Sequence, residues 1–328
     1  MTLKSKEAVA VAVNLICAKT FLMVPVYFKR LTESGSLITV LYVFTLAAVF
    51  LFIYLFSGKI RIPKFLYPLI AVLMILVCSI NLFEYSTTVS SLFFRTTPLF
   101  IIFLFFTLAM IIGAYADIGK LNLFFVPVIY ITAFIMLLFT FSDGNYYYLF
   151  PIFGKGFDAV FSDGFFMLSS LFEVVILFFI PHMLEDKKEV KKVTAYTLIF
   201  SFVIYLIITA GCLITVHTDL PENCFSPLFL ILRQIKLGTY FQHPDTAFLI
   251  IYFLSAFLYL SGMLFFASHI LSKACRKLSK KMFLIPLGLL IFILGINGEN
   301  LMSVTSYLNK ALWIVPFIFP VFARRAFK

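Results

Sequence analysis

The sequence predicts an all-α integral membrane protein with ten transmembrane helices, and three observations carry that expectation. Hydrophobic residues make up 62% of the 328 positions and charged residues only 12%, with a mean hydropathy of +1.07. A soluble chain of this length needs far more charge to cover its surface. Ten stretches are apolar enough to cross a bilayer, which takes about 20 residues each. Finally, Lys and Arg concentrate in alternate connections between those stretches.

The spans are expected near 8–28, 37–56, 65–89, 98–115, 121–141, 164–184, 194–216, 245–268, 282–296 and 305–323. They form one transmembrane domain over residues 1–328, with a first repeat at about 8–141 and a second at about 164–296. The first stretch follows Lys4 and Lys6 as a signal peptide would, but Lys19 interrupts it and no small-residue cleavage site follows. Ile16 is too large for the position before a lipidated Cys17, so the segment is read as a retained span. The third stretch is long, which leaves Asn81 and Glu84 near its outer end. The ninth is short. Between spans, Ser142–Asp163 and His217–Pro244 are the longest outer connections, and Ser226–Lys236 within the second suits a short helix lying on the outer face.

Orientation follows from the basic residues. With the N-terminus in the cytoplasm, 18 of the 26 Lys and Arg fall inside, 7 outside, and Lys19 in the membrane. The positive-inside rule then puts both termini in the cytoplasm. The net charge of +11 is accounted for by this asymmetry facing anionic inner-leaflet lipid, so no nucleic-acid partner is expected. The 44 phenylalanines read as lipid-facing and packing surface. Cys17, Cys78 and Cys212 fall inside spans, Cys224 and Cys275 in loops, with no disulfide framework. The four histidines have no ligand spacing, and no metal or other cofactor is expected. The absence of hydrolase, nucleotide-binding and zinc-protease motifs makes an enzyme improbable.

Two charges stand out because they fall inside spans. Lys19 lies near the middle of the first and Glu173 near the middle of the sixth. A charge at the bilayer centre costs at least about 2.5–3.5 kcal/mol, so each needs a partner, water or a ligand. Many transporters are two inverted repeats of five helices, with the first helix of each repeat interrupted at a central site. In a five-plus-five chain those helices are spans one and six. Asn14, Ala18, Lys19 and Thr20 in span one, with Ser169, Ser170, Phe172 and Glu173 in span six, are the candidate ligand-binding residues. A lysine beside a freed helix terminus suits a carboxylate, and a glutamate suits an ammonium, so the matching ligand is a zwitterionic amino acid. The competing reading is a purely structural ion pair.

Several segments together resemble one family. Asn14 through Pro25 is similar to an Asn…Pro first helix, and Arg95-Thr96-Thr97-Pro98 to an Arg-Thr-Pro element. Ala114-Tyr115-Ala116-Asp117 resembles the turn that follows the fourth helix. Phe150-Pro151-Ile152-Phe153-Gly154-Lys155-Gly156 resembles a Pro…Gly-x-Gly loop before span six, and Glu173-Val174-Val175 the glutamate of that broken helix. Ser226-Pro227 through Ile235 and Asp245-Thr246-Ala247-Phe248 resemble an outer helix and the start of span eight. The family is that of the spore germination permeases, the B subunits of nutrient germinant receptors, within the amino acid–polyamine–organocation superfamily.

The resemblance implies a ten-helix bundle of the leucine-transporter type in the spore inner membrane. It also implies A-type and C-type receptor subunits as partners and a small nutrient, such as an amino acid, as ligand. Two positions depart from the family: Ala18-Lys19-Thr20 stands where relatives carry Gly-x-Gly, and Phe172 where many carry Gly. Lys19 then takes the space of a ligand amine or a coupling cation, marking a divergent member.

Overall fold

Helices account for nearly all of the computed structural model, which describes residues 3–22, 24–56, 66–215, 226, 228–229, 244–274 and 279–301. The α-helices are α1 (Ser5–Cys17), α2 (Val24–Thr32), α3 (Ser36–Phe56), α4 (Leu66–Leu92), α5 (Leu99–Tyr115), α6 (Ile118–Asp143), the single turn α7 (Gly164–Phe166), α8 (Val190–Thr215), α9 (Pro244–Ala274) and α10 (Lys280–Ile296). Among the described residues, six helical stretches are long and apolar enough to cross a membrane. The expected tenth span, 305–323, and most of the expected outer helix from Ser226 lie outside the described residues.

The outer surface is what a lipid-facing protein requires. Along α5, Phe100, Ile101, Phe105, Leu108 and Ile112 are exposed, and along α6 so are Phe124, Ile131 and Phe134. No alternation of polar and apolar faces marks these helices, because both water-poor surroundings and protein interior accept apolar side chains. The inner faces are different. Small and polar residues collect there, and α1 runs through the centre, packed against α6, α8 and α9, while α4 packs against α9, α5 and α10.

Spans one and six run antiparallel. Leu3 pairs with Leu184 at one end of the bundle, with Leu3 N–H donating to the Met183 carbonyl at 2.7 Å and Glu185 N–H to the Leu3 carbonyl at 3.1 Å. At the opposite end the loop before span six docks on the turn between α2 and α3. The Ser34 hydroxyl donates to the Pro151 carbonyl, and the Lys155 ammonium donates to the Arg30 carbonyl at 2.6 Å. Gly154 fits this junction because it adopts φ +52° and because a Cβ there would stand 1.9 Å from the Thr32 carbonyl oxygen.

Candidate functional site

Both central spans lose α-helical geometry where their charged residues sit. After α1 the chain tightens into a 3₁₀ turn over Ala18–Phe21, and the next helix opens at Val24. Pro25 lacks the N–H that an unbroken helix would offer to the Phe21 carbonyl. That carbonyl is taken instead by the Ser226 hydroxyl at 3.0 Å. Further up, the Tyr205 hydroxyl donates to the Ile16 carbonyl at 3.1 Å and the Tyr85 hydroxyl to the Ala18 carbonyl at 3.1 Å. Thr20 turns back on its own segment and donates to the Cys17 carbonyl at 2.6 Å. The break therefore needs no glycine: side-chain hydroxyls satisfy carbonyls that would otherwise be orphaned at membrane depth.

Span six departs further. A π-helical turn at Ala159–Asp163 leads through α7 into twelve residues of 3₁₀ geometry, Met167–Phe178, with Leu171 outside helical angles at φ −100°, ψ 24°. Runs of 3₁₀ helix beyond three or four residues are uncommon, and one in mid-span marks strain or a hinge. Phe172 and Glu173 follow Leu171 directly and are both almost fully buried.

The two irregular segments meet at one ion pair. Lys19 Nζ lies 2.8 Å from Glu173 Oε1, with side-chain exposures of 10% and 0%. The ammonium also donates to the Ser170 carbonyl at 3.4 Å. Oε1 accepts a second bond, from the Tyr259 hydroxyl at 2.6 Å, and Tyr259 in turn accepts from the Asn81 amide at 3.0 Å. Glu173 Oε2 is buried and has no hydrogen-bond partner. The arrangement leaves one carboxylate oxygen saturated and the other open to a donor. A small molecule carrying an ammonium matches Oε2, and one carrying a carboxylate matches the remaining Lys19 proton.

The other expected site residues divide. Ala18 and Ser170 contribute backbone carbonyls, to Tyr85 and Lys19 respectively. Thr20 caps its own turn, and the Ser170 hydroxyl does likewise on Met167. Ser169 is half-buried and Phe172 is packed in the core. Asn14 sits one turn before the break, fully buried, with neither its amide nitrogen nor its oxygen hydrogen-bonded. Sequence reasoning missed Tyr259, Tyr85 and Tyr205, and it set Asn81 at an outer end. The available signal was tyrosines in mid-span, away from the interfacial belts where they usually collect.

A separate cavity of about 380 Å³ is lined by Tyr115, Asp117, Phe265, Lys280 and Lys281 among others, and touches neither Lys19 nor Glu173. Among the described residues, no group of three His, Cys, Asp or Glu is placed to hold a metal ion.

Transporters are among the solved structures similar to this chain. Mhp1, a nucleobase-cation-symport-1 family transporter in a closed conformation with bromovinylhydantoin bound, is similar with a TM-score of 0.65 at 13% identity, covering 99% of this chain and 80% of Mhp1. Its inward-facing conformation is similar with a TM-score of 0.62 at 12% identity, covering 96% of this chain and 75% of that one. A mutant of the Eremococcus coleocola manganese transporter gives 0.61 at 11% identity, covering 97% of this chain and 76% of the other. No curated protein matches the chain at a significant level. The family model described as spore germination protein matches residues 61–300, a stretch that takes in Tyr85, Glu173, Tyr205 and Tyr259, and the chain belongs to the spore germination permease family.

Proposed function

We propose that this integral membrane protein is the nutrient-sensing membrane subunit of a spore germinant receptor, binding a small nutrient of the amino acid class between spans one and six. The observation that carries this reading is the half-satisfied Glu173 beside Lys19: Oε1 holds two donors, Oε2 none, and both charges are buried. A zwitterion bridges them, its ammonium on Oε2 and its carboxylate on Lys19. Binding draws the two irregular segments together, and A-type and C-type subunits read the shift. A ten-helix, five-plus-five inverted bundle is the matching architecture. The antiparallel run of spans one and six supports it.

The test is a germination panel of nutrients on spores carrying Lys19→Met or Glu173→Gln. Each variant is expected to insert in the membrane and lose the nutrient response. Wild-type dose–response curves from both would end the reading.

A secondary amino-acid transporter is the second reading, favoured by the transporters that share the fold. Uptake of amino acids by the purified protein in liposomes, driven by a proton gradient, distinguishes it from a receptor. A non-binding structural subunit is the third, favoured by the direct contact of Lys19 with Glu173. It predicts no ligand-induced thermal shift.

A further inference from the structure

The cavity between the end of α5 and the start of α10 takes no part in the Lys19–Glu173 site. Its volume is about 380 Å³, and its lining includes Tyr115, Asp117, Phe265, Ser268, Lys280 and Lys281. Three contacts build it. The Tyr115 hydroxyl donates to the Lys281 carbonyl at 3.1 Å and ties the two helices together at the rim. The Lys280 ammonium lies over the Phe265 ring of α9, 4.6 Å from its centroid, so the face of the ring holds the cation. The Asp117 carboxylate is engaged by the Lys120 ammonium at 3.1 Å, which offsets the one negative charge of the lining.

The two lysines of the lining have no such partner. Among the described residues neither Lys280 nor Lys281 forms an ion pair. Burial first, and the like charge of Lys281 second, lower the pKa of Lys280. An anion between the two ammonium groups offsets that repulsion. By the positive-inside rule this end of the bundle faces the inner leaflet, whose lipids are anionic.

What lies beyond the rim identifies the anion. From Lys281, the exposed side chains of Ile285, Leu289 and Ile293 follow along α10 at every fourth position. From Tyr115, the exposed Ile112, Leu108 and Phe105 run back along α5. Residues three and four apart are neighbours on a helix surface, so each set makes a continuous apolar ridge. The ridges start at the two residues joined by the Tyr115–Lys281 hydrogen bond. The helices still touch at Phe100 and Phe292, whose ring centroids are 5.6 Å apart. A soluble anion makes no use of these ridges, whereas a molecule with an anionic head and apolar tails uses both. Ligand pockets run to about 300–1,000 Å³, and a cavity at the small end suits a head group with its tails outside.

We propose that this cavity binds the head group of an anionic phospholipid, its phosphate between Lys280 and Lys281 and its acyl chains along the exposed ridges of α5 and α10.

The test is native mass spectrometry of the purified full-length chain in neutral detergent. The probes are dioctanoyl phosphatidylglycerol, dioctanoyl phosphatidylcholine and glycerol phosphate. Phosphatidylglycerol is expected to bind at least about tenfold more tightly than either of the others, the effect of two basic groups on an anionic head group. Lys280→Gln combined with Lys281→Gln brings the two lipids to within about twofold of each other. Lys187→Gln combined with Lys188→Gln removes the same charge from the exposed inner loop and keeps the preference. Equal binding of the two lipids by the wild type overturns the inference, as does a preference that survives the cavity substitutions. An equal loss in the loop variant assigns the preference to surface charge at large and overturns it too. Glycerol phosphate binding as tightly as phosphatidylglycerol overturns the assignment to lipid. Should the double cavity variant fail to fold, Lys281→Gln alone decides, because that side chain is exposed, and a preference it leaves unchanged overturns the inference.

Discussion

Tyr259 and Lys19 converge on a single oxygen of Glu173: the Tyr259 hydroxyl donates to Oε1 at 2.6 Å and the Lys19 ammonium stands 2.8 Å from the same atom. The convergence orients the carboxylate so that Oε2 is left without a donor. A carboxylate held by one oxygen is firmly placed yet still able to accept, which is the condition a binding site has to meet.

Tyr259→Phe removes one of these two donors and leaves Asn81 without its hydroxyl acceptor, though Asn81 keeps its bond to the Val77 carbonyl at 2.7 Å. Hydrogen bonds to charged groups contribute about 1.5–3 kcal/mol, so the variant is expected to lose stability in that range. Thermal unfolding in detergent checks the loss. The nutrient response is expected to weaken but persist, because Lys19 still holds Oε1.

Lys19→Met and Glu173→Gln separate a binding pair from a structural one when combined. Removing one partner of a buried pair costs about 3–5 kcal/mol, and replacing both relieves much of that penalty. The double variant is therefore expected to be more stable than Lys19→Met alone, measured by thermal unfolding, while remaining unresponsive to nutrient. Recovery of the response along with the stability would assign the pair a packing role.

Pro25→Ala restores an N–H where span one is broken. That N–H competes with Ser226 for the Phe21 carbonyl, which now accepts the serine at 3.0 Å. Pro25 is the second residue of α2, in the first turn where a missing N–H costs the helix little, so the substitution is expected to leave stability nearly unchanged. The nutrient response is expected to fall, because a continuous helix resists the shift between spans. Paired melting curves and dose–response curves check both expectations.

Gly154→Ala and Gly156→Ala form a contrast within one loop. Both glycines have positive φ, +52° and +116°. A Cβ at 154 meets the Thr32 carbonyl oxygen at 1.9 Å, whereas at 156 it meets nothing within 4 Å. Gly154→Ala is expected to be the more destabilising of the two, since it adds a backbone clash to the conformational strain. Expression and melting temperature of the two variants check the order.

Much of the fold was legible in the sequence because membrane spans are written as long apolar runs. The charged pair was legible for the converse reason: Lys19 and Glu173 interrupt such runs, and an interruption at mid-depth needs a compensating partner. The rest depended on distances between spans far apart in sequence. Tyr205 and Tyr85 reach carbonyls of residues 16 and 18 from other helices, a relation no local pattern encodes. The length of the third stretch suggests that Asn81 lies near an outer end; in the folded chain α4 continues to Leu92 and carries Asn81 into the site. The family's glycines are missing at Ala18-Lys19-Thr20 and Phe172, yet the irregular geometry is there, supported by Pro25 and by hydroxyl donors.

The proposed function requires a nutrient amino acid to bind at the buried Lys19–Glu173 pair. The most direct measurement is the melting temperature of the purified full-length chain against the twenty amino acids, for wild type and for the Lys19→Met/Glu173→Gln double variant. At least one amino acid is expected to raise the wild-type melting temperature, and none that of the double variant. A ligand-induced rise of equal size in both proteins, or none in the wild type with any amino acid, would contradict binding at the pair.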